Sequence, residues 1–234
     1  MSTRVLGRSG IKVSAIGFGC WAIGGPFTMD GKPDGWGEVD DRESAAAIHR
    51  AIERGITFFD TADAYGTGHS EEVLGRALAG HRDEVVIATK FGYTHDAARK
   101  ELTGVDASPG YIRQACQASL RRLGTDRIDL YQLHVGELPL SQASGVIGAL
   151  EELVADGLIR CYGWSTDDPD RAAAFAAGPH CAVVQHPMNV FADAPRMLAT
   201  CDAHDLAHRR PAGPARAPAR QDRLVPQPAG ARRP

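Results

Sequence analysis

The sequence predicts an α/β fold built on parallel strands, and two observations carry that prediction. Short apolar runs alternate with longer segments of helical period through residues 15–204. Most of the helical segments also have a recognisable start or stop signal. Strand–helix alternation of this kind implies parallel strands joined by right-handed crossovers, which either a doubly wound sheet or a barrel satisfies.

In chain order, residues 4–6 and 12–14 are short β-like pieces around Gly7-Arg8-Ser9-Gly10, and they predict an N-terminal hairpin. Strands are expected at 15–19, 57–60, 85–89, 128–133, 159–163 and 183–185. Helices are expected at 42–54, 70–79, 109–123, 142–156, 168–177 and 194–204. Ser108-Pro109 supplies an N-cap and a first-turn proline, and Gly55, Gly80, Gly124 and Gly157 follow last helical turns. Residues 24–40 form a long Gly-rich loop with exposed-looking aromatics, Phe27 and Trp36. Because it follows a strand, it belongs at the strands' C-terminal ends, where α/β enzymes place their sites.

The 234 residues are enough to bury a sizeable core, and 43% hydrophobic with 24% charged residues is ordinary for a soluble domain. The net charge of −3 gives no reason to expect a nucleic-acid partner. It conceals an asymmetry: residues 209–234 hold seven Arg and one Asp, a net +6, which leaves −9 on the rest. Five scattered cysteines without a CxxC pair fit reduced thiols in a cytoplasm, with neither a disulfide framework nor a metal site. Neither a signal peptide nor a membrane-spanning apolar run is expected.

Chemistry gathers at three successive strand ends. One finishes in Asp60-Thr61-Ala62-Asp63-Ala64-Tyr65, the next in Thr89-Lys90-Phe91 and the third in Gln132-Leu133-His134. Singly, each residue has an ordinary structural role: a helix cap, a solvated lysine, a satisfied histidine. In a barrel the three tips converge on one mouth, and an Asp, a Tyr, a Lys and a His together there are informative.

Residues 4–205 resemble an aldo-keto reductase almost throughout. The stretches LGRSGIKVSAIGFGCWAIGG, GITFFDTADAYGTGHSEEVLGRAL, VIATKFG, SLRRLGTDRIDLYQLH, LIRCYGWST and VVQHPMN follow that family's order and spacing, the second being the most specific. The resemblance implies a (β/α)8 TIM-barrel type fold, incomplete here at about six βα units behind the N-terminal β-hairpin. It also implies that Asp60, Tyr65, Lys90 and His134 form a catalytic tetrad that reduces aldehydes or ketones to alcohols. Hydride transfer builds negative charge on the carbonyl oxygen, so an acid must sit beside it. Tyr65 would be that acid, Lys90 would stabilise its phenolate, Asp60 would aim Lys90, and His134 would orient the carbonyl.

The hydride must come from a cofactor. No GxGxxG occurs, since Gly17-Phe18-Gly19 runs on into Cys20, Trp21 and Ala22, and this counts against a Rossmann dehydrogenase. By resemblance, NADP(H) would lie across the barrel mouth, with Ser165 and Gln185 on its carboxamide and Asp60 and Trp21 lining the same region. The chain has Thr166 where the family often has Asn. Asn189 also matches the family and is expected to be structural.

From about His208 the character changes. Of residues 211–234, nineteen of twenty-four are Arg, Pro, Ala or Gly, and six prolines rule out a strand there. The expected division is a partial barrel over 1–208 and a tail over 209–234. A frameshift or truncation near residue 208 would produce that tail, with a genuinely disordered segment as the alternative. The segment lost would be the one that holds the nucleotide's pyrophosphate and 2′-phosphate in the family. Rival readings are a Schiff-base aldolase using Lys90, a non-catalytic nucleotide-sensing module and a non-functional fragment.

Overall fold

The computed structural model describes residues 1–188 and 193–209. β1 (Thr3–Val5) and β2 (Lys12–Ser14) form the antiparallel hairpin. Ala15 continues it by donating from its backbone to Ser2, and the Ser14 hydroxyl bonds the carbonyl of Ile16. These ties shorten the first parallel strand, β3, to Phe18–Gly19, where the sequence pattern suggested five residues.

Residues 24–40 do more than loop. They carry β4 (Thr28–Met29) and β5 (Lys32–Pro33) ahead of α1 (Asp41–Glu53), which Asp40 caps through the backbone nitrogens of Arg42 and Glu43. β6 (Phe58–Asp60) leads into α2 (His69–Ala77), and β7 (Val86–Phe91) follows. β8 (Tyr93–Asp96) and β9 (Glu101–Val105) then make a hairpin that the hydrophobic pattern did not predict. α3 (Pro109–Leu123) starts on the Ser108 cap and stops at left-handed Gly124, as expected. The remaining elements are β10 (Ile128–Leu133), α4 (Ala143–Ala155), β11 (Ile159–Ser165), α5 (Pro169–Phe175), β12 (Cys181–Gln185), α6 (Pro195–Ala203) and β13 (Ala207–Arg209).

The main sheet is parallel, with order β13-β12-β11-β10-β7-β6-β3, so each strand neighbours the one before it and helices cover the outer face. This is the curled wall of an incomplete (β/α) barrel: six βα units and then a seventh, three-residue strand just ahead of the proline-rich stretch. The composition change and the proposed frameshift fall on residues outside those described. A second sheet, in the order β5-β4-β9-β8, follows the C-terminal end of β7. It makes its own small core from Phe27, Ala64 and Leu102, with Trp21, Met29 and Tyr93 packed against it. Phe27, expected at the surface, is buried for that reason.

The middle strands carry the core. β7 and β10 are buried along their whole length, with side chains facing either the helices or the barrel interior. All five cysteines are free and buried. Among the described residues, no helix is long and apolar enough to cross a membrane.

Candidate active site

The parallel register fixes the site. Asp60 lies opposite Ala88, and Gln132 lies opposite Lys90, so the ends of β6, β7 and β10 come level. The chain leaving β6 is tied down twice: the Thr61 nitrogen donates to Ala88, and its hydroxyl bonds that of Ser70. Tyr65 then opens a tight turn in which Gly66, Thr67 and Gly68 all have positive φ, of 61°, 55° and 102°. Glycine is required at 66 for a second reason, since a Cβ there would lie 1.9 Å from the carbonyl oxygen of Gly24. The turn is thus seated on its neighbour and aims Tyr65 back into the barrel mouth.

Lys90 is fully buried, and its ammonium has three partners. It donates to the Thr61 carbonyl at 2.7 Å and to the Tyr65 hydroxyl at 3.0 Å, and it pairs with Asp60 Oδ1 at 3.0 Å. Two of these contacts are hydrogen bonds and the third is an ion pair, an arrangement that suits the charged ammonium. A lysine nucleophile needs a free lone pair, so this arrangement disfavours Schiff-base chemistry. A charge so deeply buried persists only because it is paired and hydrogen-bonded.

His134 stands across from Tyr65, with ring centroids 5.7 Å apart at 81°. Its backbone nitrogen donates to Phe91, which pins it at the tip of β10. Burial pushes the imidazole down to about 3, with Lys90 adding to the effect and Asp60 opposing it. The ring is therefore neutral at physiological pH.

Behind these residues lies a buried charged layer that sequence reasoning did not anticipate. Glu71 accepts from the Thr89 hydroxyl on β7 and from Arg122 on α3. Beside them burial, with the Glu71 carboxylate adding to it, raises the Asp63 carboxyl well above the usual range. The spacing of Asp63 and Glu71 at a helix start reads equally well as exposed capping, so sequence offers no signal for this layer.

A cleft of about 800 Å³ runs from the tetrad to the edge strands β3 and β13. Asp60, Tyr65, Gln185 and Trp21 line it, as do Cys20, Trp36 and His208. Four of the seven residues assigned from sequence to the tetrad or to the cofactor thus line one cleft. Lys90 lies under Asp60 and Tyr65, and His134 flanks Tyr65. Gln185 is buried, and its Oε1 accepts from Gln132 at 3.3 Å. Ser165 pairs in register with Gln185 at the tip of β11 but does not line the cleft. Thr166, the departure from the family's pattern, is held by the Gly136 and Gln185 carbonyls. Asn189 lies outside the described residues.

Residues 15–214 match the family model described as the aldo/keto reductase family. The chain belongs to that family. It is 39% identical over 185 residues to aldo-keto reductase YhdN of Bacillus subtilis, an alignment covering 78% of this chain and 52% of that one. It is 37% identical over 170 residues to an oxidoreductase, YqkF, of the same organism, covering 73% and 50%. The chain therefore spans about half the length of these curated relatives.

Among solved structures, aldo-keto reductase AKR11C1 of Bacillus halodurans, in its holo form, superposes with a TM-score of 0.79 at 31% identity, covering 90% of this chain and 65% of that one. An aldo/keto reductase of Klebsiella pneumoniae, in complex with NADP and acetate, gives 0.69 at 33%, covering 88% and 66%.

Proposed function

We propose that this site reduces aldehydes or ketones to alcohols with NADPH, using Tyr65 as the general acid. The observation that carries the reading is the three-way hold on Lys90, which sets a buried ammonium 3.0 Å from the Tyr65 hydroxyl. A phenol is a weak acid near neutrality, with a pKa of about 10. A fixed cation beside it stabilises the phenolate left after proton transfer, at little reorganisation cost. Asp60 keeps that cation charged and aimed. His134, neutral and set against Tyr65, donates a hydrogen bond to the same substrate oxygen and orients it.

A nicotinamide nucleotide, when bound, supplies the hydride. The cleft suits such a group: about 800 Å³ in volume, it is lined by the indoles of Trp21 and Trp36 and by the buried Gln185. Gln185, with Ser165 beside it in the sheet, would take the carboxamide, while Asp60 and Trp21 border the ring. The NADP complex of the Klebsiella relative supports the choice of nucleotide.

In the test, Tyr65→Phe should lower NADPH-dependent aldehyde reduction by about 10²–10⁴-fold. Nucleotide affinity, followed by NADPH fluorescence, should stay within about twofold, because the phenol acts on the substrate oxygen. Near-normal turnover in Tyr65→Phe would sink the assignment. NADPH binding without any turnover by the parent chain would favour a nucleotide-sensing role.

A further inference from the structure

We infer that Tyr93, carried by the small antiparallel sheet, is a positioning residue for His134: its ring edge holds the imidazole in place and shields it from water. The inference rests on the reading above, in which His134 faces the substrate oxygen.

His134 meets two tyrosine rings edge to face: Tyr65 at 5.7 Å and 81°, and Tyr93 at 5.3 Å and 82°. The imidazole Nδ1 is buried without a hydrogen-bond partner among the described residues. A buried histidine is usually oriented by a hydrogen bond at the nitrogen away from its working end. Here packing does that work, and edge-to-face aromatic contact is the geometry that gives it direction.

Tyr93 is itself fixed. Its backbone pairs with Val105 across the β8–β9 hairpin, and its carbonyl accepts from the Tyr111 hydroxyl at 2.7 Å. Gly92, at φ 122°, turns the chain between β7 and β8, and a Cβ there would meet Val135 at 2.8 Å. The side chain packs against Phe27, Ala64 and Leu102. Burial raises the Tyr93 phenol, and Asp30 adds to this, so the ring stays uncharged. The charged and titratable groups around His134 are Lys90 on β7, Asp60 on β6, Tyr65 on its turn and Tyr93 on β8. Lys90 and Asp60 act in opposite directions, which leaves dryness as the main control, and Tyr93 is the part of that shield belonging to the small sheet.

The test is histidine NMR on the full chain, with the His134 resonance assigned by its loss in His134→Gln. The parent and Tyr93→Phe, which keeps the ring, should show no His134 titration between about pH 5 and 8. Tyr93→Thr keeps the strand propensity of β8 but removes the ring. Its His134 midpoint should rise toward the ordinary histidine value, far enough that the resonance titrates within that window. Should the threonine variant fail to fold, Tyr93→Leu offers the same contrast with Tyr93→Phe at nearly constant apolar volume. A His134 that stays silent in the folded ring-less variant overturns the proposal, as does one that already titrates in the parent. The readout is protonation, so an active Tyr65→Phe enzyme would remove the general-acid reading without deciding this one.

Discussion

The middle and the flank of this molecule are built to different standards. β7 and β10 have six residues each, β11 has seven, and they are buried almost throughout. The outermost strands, β3 and β13, have two and three, and between them runs the cleft in which Val5, Ile16 and Trp36 stay half or more exposed. Of the residues proposed to handle protons, Lys90 and His134 stand at the tips of the first region, with Asp60 on the neighbouring β6. Asp60, Lys90 and His134 end three adjoining strands; Asp60 pairs with Lys90, and Tyr65 contacts both Lys90 and His134. The proposed nucleotide wall depends on the second, since Trp21 and Gln185 line the cleft from elements near the two edges. The candidate tetrad is therefore held by three strand tips, one turn and the small sheet, whereas Trp21 and Gln185 rely on whatever holds those edges.

The largest expected effect of this contrast is in amide hydrogen exchange. Amides of β7 and β10 should exchange only through global unfolding, a cost of roughly 5–15 kcal/mol for a domain of this kind. Amides of β3 and β13 should exchange through local opening, orders of magnitude faster. Uniform protection from β13 to β3 would abolish the distinction.

A smaller effect sharpens it from the other side. Asp60→Ala removes the carboxylate paired with the buried Lys90 ammonium. Removing one partner of a buried pair costs about 3–5 kcal/mol. Thermal unfolding should show that loss, and Lys90→Met in the same background should restore part of it by removing the stranded charge. No recovery in the double variant would mean that Asp60 acts through something other than Lys90.

The legibility of the sequence follows the same division. α3 was readable to the residue because Ser108-Pro109 and Gly124 are local signals that no tertiary contact overrides. Tyr65 lies in the turn past β6, whereas the strand tips at Asp60, Lys90 and His134 were readable because periodicity locates a tip to within a residue or two. The small sheet was not. Its strands β4 and β5 have two residues each, one contains Pro33, and β4 pairs in parallel with β9, about seventy residues away. No local period can encode such a pairing. Phe27 was misplaced for the same reason, as its burial depends on Leu102. Tyr93 carried one usable hint, an aromatic two residues beyond a strand tip, but its target lies on another strand. The Glu71–Arg122 layer was hidden because charged residues on helices normally face water, and only the packed structure turns them inward.

The smallest effect concerns protons. In the folded chain burial holds His134 near 3, whereas an unfolded histidine titrates near 6.5. Between these values the unfolded chain binds a proton that the folded chain refuses, so stability falls as the pH drops below about 6.5 and is unaffected above it. At pH 5 the loss from this one residue should be on the order of 2 kcal/mol. Urea unfolding of the parent and of His134→Gln at pH 7 and pH 5 isolates it, because other titrating groups cancel in the difference. The parent should lose more than the variant on acidification. Equal losses would show that water reaches the imidazole, and the middle of the molecule would then be no drier at its histidine than the flank.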